Sequence, residues 1–157
     1  MKRSIVLIAP LIVLAGFVLQ SCSHYDDIMK NAEESTANEK SHNAGRDCMS
    51  CHHDNSNEAS EKWWYVAGTV FDDNKKVAES SGAIELWTQP NRSGELLRKI
   101  TIDKSGNFYT AKIVDFKGGF YPVYVGNNGK VKEMSTQTSN GSCSSCHGVT
   151  KEVIEVD

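Results

Sequence analysis

The sequence predicts a mainly β protein built on an antiparallel β-sandwich, and three observations predict it. Between Trp63 and Glu133, short stretches of alternating or β-branched residues recur along the chain. Such short, regularly spaced stretches are typical of antiparallel sandwiches. Clusters of Gly, Asn, Asp, Ser and Pro separate them and mark turns. No apolar pattern of helical period competes with them over a useful length.

The individual strands follow from these stretches. We predict strands within WWYVAGTVF, AIELW, LLRKITID, NFYTAKIV, FYPVYVG and KVKEM. The segment Asp103-Lys104-Ser105-Gly106 predicts a hairpin turn, with Phe108 as the first inward-facing residue of the next strand. We assign residues 63–137 to the sandwich. In the tail, Val153-Ile154-x-Val156 is placed to add a final edge strand.

Several short motifs in this region resemble a carboxypeptidase regulatory-like domain, which is a prealbumin-like β-sandwich. The motifs are Gly68-x-Val70, Gly82-Ala83-Ile84-x-Leu86, Thr101-x-Asp103-x-x-Gly106-x-Phe108 and Gly119-x-Tyr121-x-Val123-x-Val125. The resemblance implies an Ig-like or prealbumin-like sandwich with a structural or binding role. It implies no catalytic role, and a fold of this kind does not by itself fix function.

The N-terminus has the features of an export signal. Met1-Lys2-Arg3 is a short positive start, and the apolar run from Ile5 to Leu19 is interrupted only by Pro10. That run is too short and too broken to span a bilayer comfortably. A signal-anchor helix that stays in the membrane is the alternative.

The next four residues, Leu19-Gln20-Ser21-Cys22, resemble the lipobox of bacterial lipoproteins. Gln20 is bulkier than the usual residue at its position. The resemblance implies that residues 1–21 are cleaved off as a lipoprotein signal peptide and that Cys22 is acylated. Ser23 stands where an inner-membrane retention signal would have Asp. This favours the outer membrane of a Gram-negative cell envelope, on its periplasmic face or at the cell surface.

The segment after the anchor is polar and shows little apolar periodicity. We interpret residues 22–47 as the lipidated cysteine followed by a flexible tether. Removal of residues 1–21 takes away Lys2 and Arg3 and no acid. The 17 basic and 20 acidic residues of the whole chain therefore become 15 and 20, a net charge of −5. A chain of this charge has no basic patch that would favour nucleic acid.

Two pentads of identical pattern carry the chemistry. Cys48-Met49-Ser50-Cys51-His52 begins the segment 48–62, and Cys143-Ser144-Ser145-Cys146-His147 lies in the segment 138–157. Cys-x-x-Cys-His is the attachment signature of c-type haem. With five Cys and five His in the chain, two such pentads by chance have a probability on the order of one in a hundred thousand.

The resemblance to c-type cytochromes covers the pentads only. It implies two covalent haems, with thioether bonds from Cys48 and Cys51 to one and from Cys143 and Cys146 to the other. His52 and His147 would be the proximal iron ligands. Three alternatives remain open: disulfides in an exported protein, one zinc site shared by the two pentads, and a Cys-x-x-Cys redox catalyst, which lacks its usual βαβ surroundings.

Each iron has a sixth position, and the sequence offers a few candidates for it. His42 lies shortly before the first pentad in a polar segment. His53 directly follows His52 and would have to serve the other haem. Met134 lies upstream of the second pentad and is the runner-up. His24 is close to the anchor and poorly placed. Two imidazole ligands give low potentials, whereas Met raises them.

From the sequence we therefore expect two irregular haem-binding segments flanking a β-sandwich, in a lipid-anchored dihaem cytochrome that transfers electrons. No acid–base pair or nucleophile constellation predicts an enzyme. The expected partners are the membrane and redox proteins, other multihaem cytochromes among them. Two other functions are kept as alternatives. One is a disulfide-stabilised surface lipoprotein that acts as a binding module, and the other is a haem sensor or redox-complex subunit with an open iron site.

Overall fold

The computed structural model describes residues 29–116 and 118–156. The chain divides into two units, Met1–Asn31 and Ala32–Asp157. Of the first unit only Met29–Asn31 are described, and they are helical. The sandwich and both pentads belong to the second unit. The signal peptide, the lipobox with Cys22, and His24 lie outside the described residues.

The second unit consists of two packed β-sheets, which confirms the predicted fold class. Within the described residues the strands are β1 (Val66–Phe71), β2 (Gly82–Gln89), β3 (Ser93–Thr101), β4 (Asn107–Thr110), β5 (Tyr121–Gly126), β6 (Val131–Glu133) and β7 (Ile154–Glu155). The smaller sheet has the order β4-β1-β7, and the larger sheet has the order β3-β2-β5-β6. Three short 3₁₀ helices accompany them at Cys48–Ser50, Ser60–Lys62 and Cys143–Ser145.

The core lies between the sheets and follows the alternation of the strands. From β1, Val66 and Val70 point inward and are fully buried, as the period of two along a strand requires. Phe108 is 1% exposed, which confirms its predicted inward orientation. Residues of the strands and of the segments next to them complete the main cluster: Ala78, Ile84, Leu86, Ile100, Ile102, Val114, Phe120, Tyr124 and Val156.

A second, smaller cluster lies against the β1–β4 pair and is made by residues outside the main core. It contains Ala32, Trp64, Ala67, Tyr109 and Ala111, with Cys48 and Met49 packed against it. Because Ala67 follows Val66 in β1, its side chain points to the opposite face of the strand. The first pentad therefore packs on a different face of β1 from the main core.

The turn at Asp103–Gly106 forms, but it does not join a paired hairpin. The Gly106 N–H donates to the Asp103 carbonyl at 3.1 Å. However, β3 pairs with β2 and β4 pairs with β1. The turn therefore carries the chain from one sheet to the other. The predicted hairpin is therefore wrong, although the turn itself forms: turn chemistry is a local property, whereas the strand partner is decided by packing.

The predicted tether is docked from Ala32 onward. Ala32 and Ser35 are buried, the Ser35 N–H donates to the Tyr109 carbonyl at 3.0 Å, and the Ala111 N–H donates to the Glu33 carbonyl at 2.7 Å. These bonds occupy the outer edge of β4, whose backbone groups would otherwise lack partners. Edge pairing uses backbone atoms, so a polar segment without apolar periodicity can provide it.

The tail adds the edge strand that the sequence indicated, but in parallel orientation. β7 pairs with β1 through Val70 opposite Ile154 and Phe71 opposite Glu155. Val156 is 4% exposed and belongs to the main core. Since the tail follows the second pentad directly, this pairing fixes that pentad beside β1. Among the described residues, no helix is long and apolar enough to cross a membrane.

Candidate functional site

The two pentads fold into the same turn, although they are far apart in the sequence. In the first, the N–H groups of Cys51 and His52 donate to the Cys48 carbonyl at 3.2 and 3.0 Å. In the second, the N–H groups of Cys146 and His147 donate to the Cys143 carbonyl at 3.2 and 2.9 Å. The last cysteine of each turn has nearly the same backbone angles, φ −116° and ψ −36° in one and φ −113° and ψ −50° in the other.

The serine at the third position is used in the same way in both turns. Ser50 Oγ donates to the Asp47 carbonyl, and Ser145 Oγ donates to the Ser142 carbonyl, each at 2.6 Å. Hydroxyl-to-backbone bonds of this kind stabilise short turns. The shared turn is thus supported by the sequence Cys-x-Ser-Cys-His, which both pentads contain.

The residues that precede the two pentads are in direct contact. Ser142 Oγ donates a hydrogen bond to Asp47 Oδ1 at 2.6 Å. The same carboxylate oxygen accepts from the Met49 N–H at 3.2 Å and so caps the first turn. The sequence predicted that the pentads flank the sandwich, and it left their distance open. The structure brings both beside β1, the first pentad onto its outer face and the second along its edge.

That edge belongs to the smaller sheet. The Ala67 N–H donates to the Gly141 carbonyl at 3.0 Å, and Ala67 forms a parallel bridge with Ser142. The second turn thus continues the line of β7 along β1. Cys143 packs over Gly68, where an added Cβ would lie 2.9 Å from Cys143 Cβ and 2.6 Å from Phe108 Cζ. Gly68 therefore makes room for the second pentad.

The first cysteine of each pentad is the more buried one. Burial raises the pKa of the Cys48 thiol to about 11, with a further contribution from the nearby Asp47 carboxylate. Burial likewise raises the pKa of the Cys143 thiol to about 12, and the charge of the Cys48 thiolate adds to this. Cys51 and Cys146 are exposed. All four thiols are free of disulfides in the described part of the chain.

The second pentad opens into a large cavity between the two sheets. Its volume is about 600 Å³, within the range of about 300–1,000 Å³ of small-molecule and cofactor sites. Cys143, Cys146 and His147 line it together with Met134. Part of the wall is apolar and is formed by Ile84, Phe108, Pro122, Val153, Ile154 and Val156. The rest is polar or charged and includes Lys132, Glu133, Gln137, Asn140 and Lys151.

His147 is oriented by the backbone of the tail. Its Nδ1 lies 2.7 Å from the Glu152 carbonyl oxygen. A carbonyl only accepts hydrogen bonds, so this contact requires a proton on Nδ1 and leaves Nε2 as the free lone pair. Metal-binding histidines are commonly held in this way. His147 is therefore prepared to bind a metal through Nε2.

The first pentad lies against a narrower space. His52 is 7% exposed and stacks on Trp64 with ring centroids 3.8 Å apart, and Trp64 stacks in turn on Tyr109. His52 Nδ1 is buried without a hydrogen-bond partner. The cavity beside it has a volume of about 150 Å³ and is lined by Cys48, Cys51, His52 and His42, among others.

The candidates for the sixth iron position separate clearly. The ring centroids of His42 and His52 are 6.0 Å apart. Met134 lines the same cavity as His147. His53 is exposed, its Nδ1 lies 2.5 Å from the Asp54 carbonyl oxygen, and it lines neither cavity. The structure thus brings one distal candidate to each pentad and leaves His53 apart from both.

Two sets of residues near the pentads were not predicted as part of the site. Asp47 and Ser142 were not singled out, although a polar residue directly before a turn is a typical N-cap signal. Tyr109 gave no such signal, because its stacking on Trp64 depends on how β4 is placed. Trp64 packs in the same smaller cluster.

The residue types at both pentads fit a covalently attached haem. Each pentad offers two thiols and one imidazole from a single turn. At the second pentad the cavity, whose wall is partly apolar, also has the volume of a cofactor site. At the first, the volume is below that of ordinary cofactor pockets, so a haem there would extend into solvent past the exposed residues Ser50 and Cys51. Within the described ranges, no group of three or more His, Cys, Asp or Glu side chains is arranged to hold a metal ion.

Comparisons with known proteins give no match for this chain among family models, curated proteins or solved structures.

Proposed function

We propose that this chain is a dihaem c-type cytochrome, anchored by lipid at Cys22 to the outer membrane of a Gram-negative envelope, and that it carries electrons. The observation that carries the proposal is the hydrogen bond that joins the residues directly before two matched Cys-x-x-Cys-His turns, both of which lie beside β1. Two independent disulfides or a lone binding surface would not require two turns of the same geometry joined by the Asp47–Ser142 hydrogen bond.

When bound, the haem iron supplies the one-electron redox change. The chain's own residues hold the haems and orient the iron ligands. The four thiols hold the two macrocycles by thioether bonds, and His52 and His147 present imidazole lone pairs. The Glu152 carbonyl holds the proton on His147 Nδ1, which keeps Nε2 available. The apolar side chains in the wall at the second pentad, such as Ile84, Phe108 and Val156, would shield part of the haem from water, which favours the less charged oxidation state of the centre.

The contact between the two turns would allow the two haems to act as one electron-transfer path. Cys48 and Cys143 each directly follow a member of the Asp47–Ser142 pair, so the attachment points of the two haems are close. An electron entering at one would pass to the other without a second protein between them. We therefore propose a relay through one chain, from a donor at one haem to an acceptor at the other. The net negative surface favours basic redox proteins as partners.

Haem counting tests this proposal directly. The full chain, produced together with a cytochrome c maturation system, is expected to carry two covalent haems by pyridine haemochrome assay. The double variants C48S/C51S and C143S/C146S are each expected to carry one. A chain without covalent haem, in which reduction reveals disulfides by mass, would instead support the surface binding module.

A further inference from the structure

A buried polar network holds the loop that precedes the first pentad. Asp103 is 0% exposed, and both of its carboxylate oxygens have partners. Oδ1 accepts from the N–H groups of Ser105 and Asn107 at 2.7 and 2.9 Å. Oδ2 accepts from the Ser41 N–H at 3.0 Å and from Ser41 Oγ at 2.5 Å. A buried carboxylate with four donors is a rigid anchor.

The same network extends along the loop. Asn107 Nδ2 donates to Ser41 Oγ at 2.8 Å and to the His42 carbonyl at 3.1 Å. At the other end, the Gly45 N–H donates to Thr69 Oγ1 at 2.8 Å. Asn107 and Thr69 are 1% and 3% exposed, whereas the loop from His42 to Arg46 is exposed. Surface loops are ordinarily the mobile parts of a fold, but core residues fix this one.

The fixed loop places the imidazole of His42 close to that of His52. Its ring lies 6.0 Å from that of His52 and is tilted by 34°, and both rings line the same cavity as Cys48 and Cys51. An imidazole nitrogen binds a transition metal at about 2.0–2.1 Å, so two imidazoles on opposite sides of one ion have centres about 6 Å apart. The buried His52 Nδ1 has no hydrogen-bond partner, so no other described residue occupies that nitrogen.

We propose that His42 is the second axial ligand of the iron at the first pentad, and that the network through Asp103 and Asn107 positions it. This inference rests on the proposed function. It makes the first iron a bis-imidazole centre. The second iron would lie at the larger cavity, which Met134 lines, so its surroundings would differ. His42 touches the iron, whereas Ser41, Asp103 and Asn107 act through His42 and are positioning residues.

The test is the spin state of the ferric iron in the full-length, two-haem protein, read by electron paramagnetic resonance and absorbance. H42A is expected to convert about half of the total haem iron from its wild-type low-spin signal to a high-spin signal. Added imidazole is expected to restore the low-spin signal. H53A is the matched control, because His53 is a neighbouring exposed histidine that lines neither cavity, and it is expected to leave the signal unchanged.

A separate variant tests whether Ser41 positions His42. S41A removes the hydroxyl that bridges Asp103 and Asn107 and is expected to give a partial high-spin fraction that imidazole abolishes. S41T keeps the hydroxyl and is expected to behave as the wild type. A merely structural role for Ser41 would lower the melting temperature without changing the spin state.

The haem content of the wild type distinguishes failure of the His42 inference from failure of the proposed cytochrome function. If wild type carries two covalent haems and H42A keeps the wild-type low-spin signal, or if H53A loses it instead, this inference is overturned and the cytochrome remains. If the wild type carries no covalent haem, the proposed function fails, and the role of His42 fails with it.

Discussion

At the scale of single residues, the two cysteines of each pentad have different environments. Cys48 packs against the small cluster on one face of β1, and Cys143 packs against the main core over Gly68. Cys51 and Cys146 are exposed. One thiol of each pair is therefore fixed by the sheet, and the other is reachable from solvent. Attachment of a cofactor to such a pair can begin at the exposed thiol.

This difference predicts the order of thiol modification in protein produced without haem. A pKa of about 11 for Cys48 and about 12 for Cys143 leaves little reactive thiolate at mildly alkaline pH. Iodoacetamide is expected to modify Cys51 and Cys146 at least about tenfold faster than the other two, as measured by peptide mass spectrometry over time. In denaturant the four rates should converge. Equal rates in the native protein would show that the sheet does not protect Cys48 and Cys143.

At the scale of the elements, β2 carries a buried acid on the side of the larger sheet. Glu85 is 4% exposed. It accepts from Trp87 Nε1 and Arg92 Nε, each at 3.0 Å, and Lys99 Nζ lies 3.4 Å from its other oxygen. Burial alone would raise the pKa of Glu85, but the hydrogen bonds from Trp87 and Arg92 and the positive charge of Arg92 lower it below its ordinary value. The cluster ties β2 to β3 and to the turn between them.

The lowered pKa predicts a pH dependence of stability that belongs to this cluster. An acid whose pKa is lower in the folded state stabilises the fold above its unfolded pKa of about 4.5, and the contribution is lost as the pH falls through the folded value. E85Q is expected to cost about 1–2 kcal/mol of unfolding free energy at neutral pH. The difference from wild type should shrink in acid. Urea unfolding at several pH values measures the difference in unfolding free energy between E85Q and wild type. E95Q, at an exposed position of β3, is the control. A pH-independent difference would contradict the role of the charge.

At the scale of the whole molecule, the sequence predicted the parts better than their arrangement. Strands such as β2 and β5 could be predicted, because runs of β-branched and aromatic residues between turn signals leave a local pattern in the sequence. The pairing of β4 with β1 leaves no such pattern, and neither does the docking of Ser35 on the edge of β4. Both depend on backbone hydrogen bonds, which every residue type can accept. The contact of Asp47 with Ser142 depends on how β7 pairs with β1. It joins residues 95 positions apart, so neither pentad indicates it alone.

The contact between Asp47 and Ser142 leads to a prediction about the redox behaviour of the whole molecule. If the two irons are held close together, reduction of one makes reduction of the other less favourable. For sites about 15 Å apart at an effective dielectric constant of 20, the repulsion is about 1 kcal/mol, which is roughly 50 mV for one electron. A redox titration of the two-haem protein should therefore span a wider range than the sum of the titrations of C48S/C51S and C143S/C146S. If that sum reproduces the two-haem curve within error, the haems are independent and the chain is not one relay. Because the Asp47–Ser142 hydrogen bond holds both turns together beside β1, we expect the wider curve.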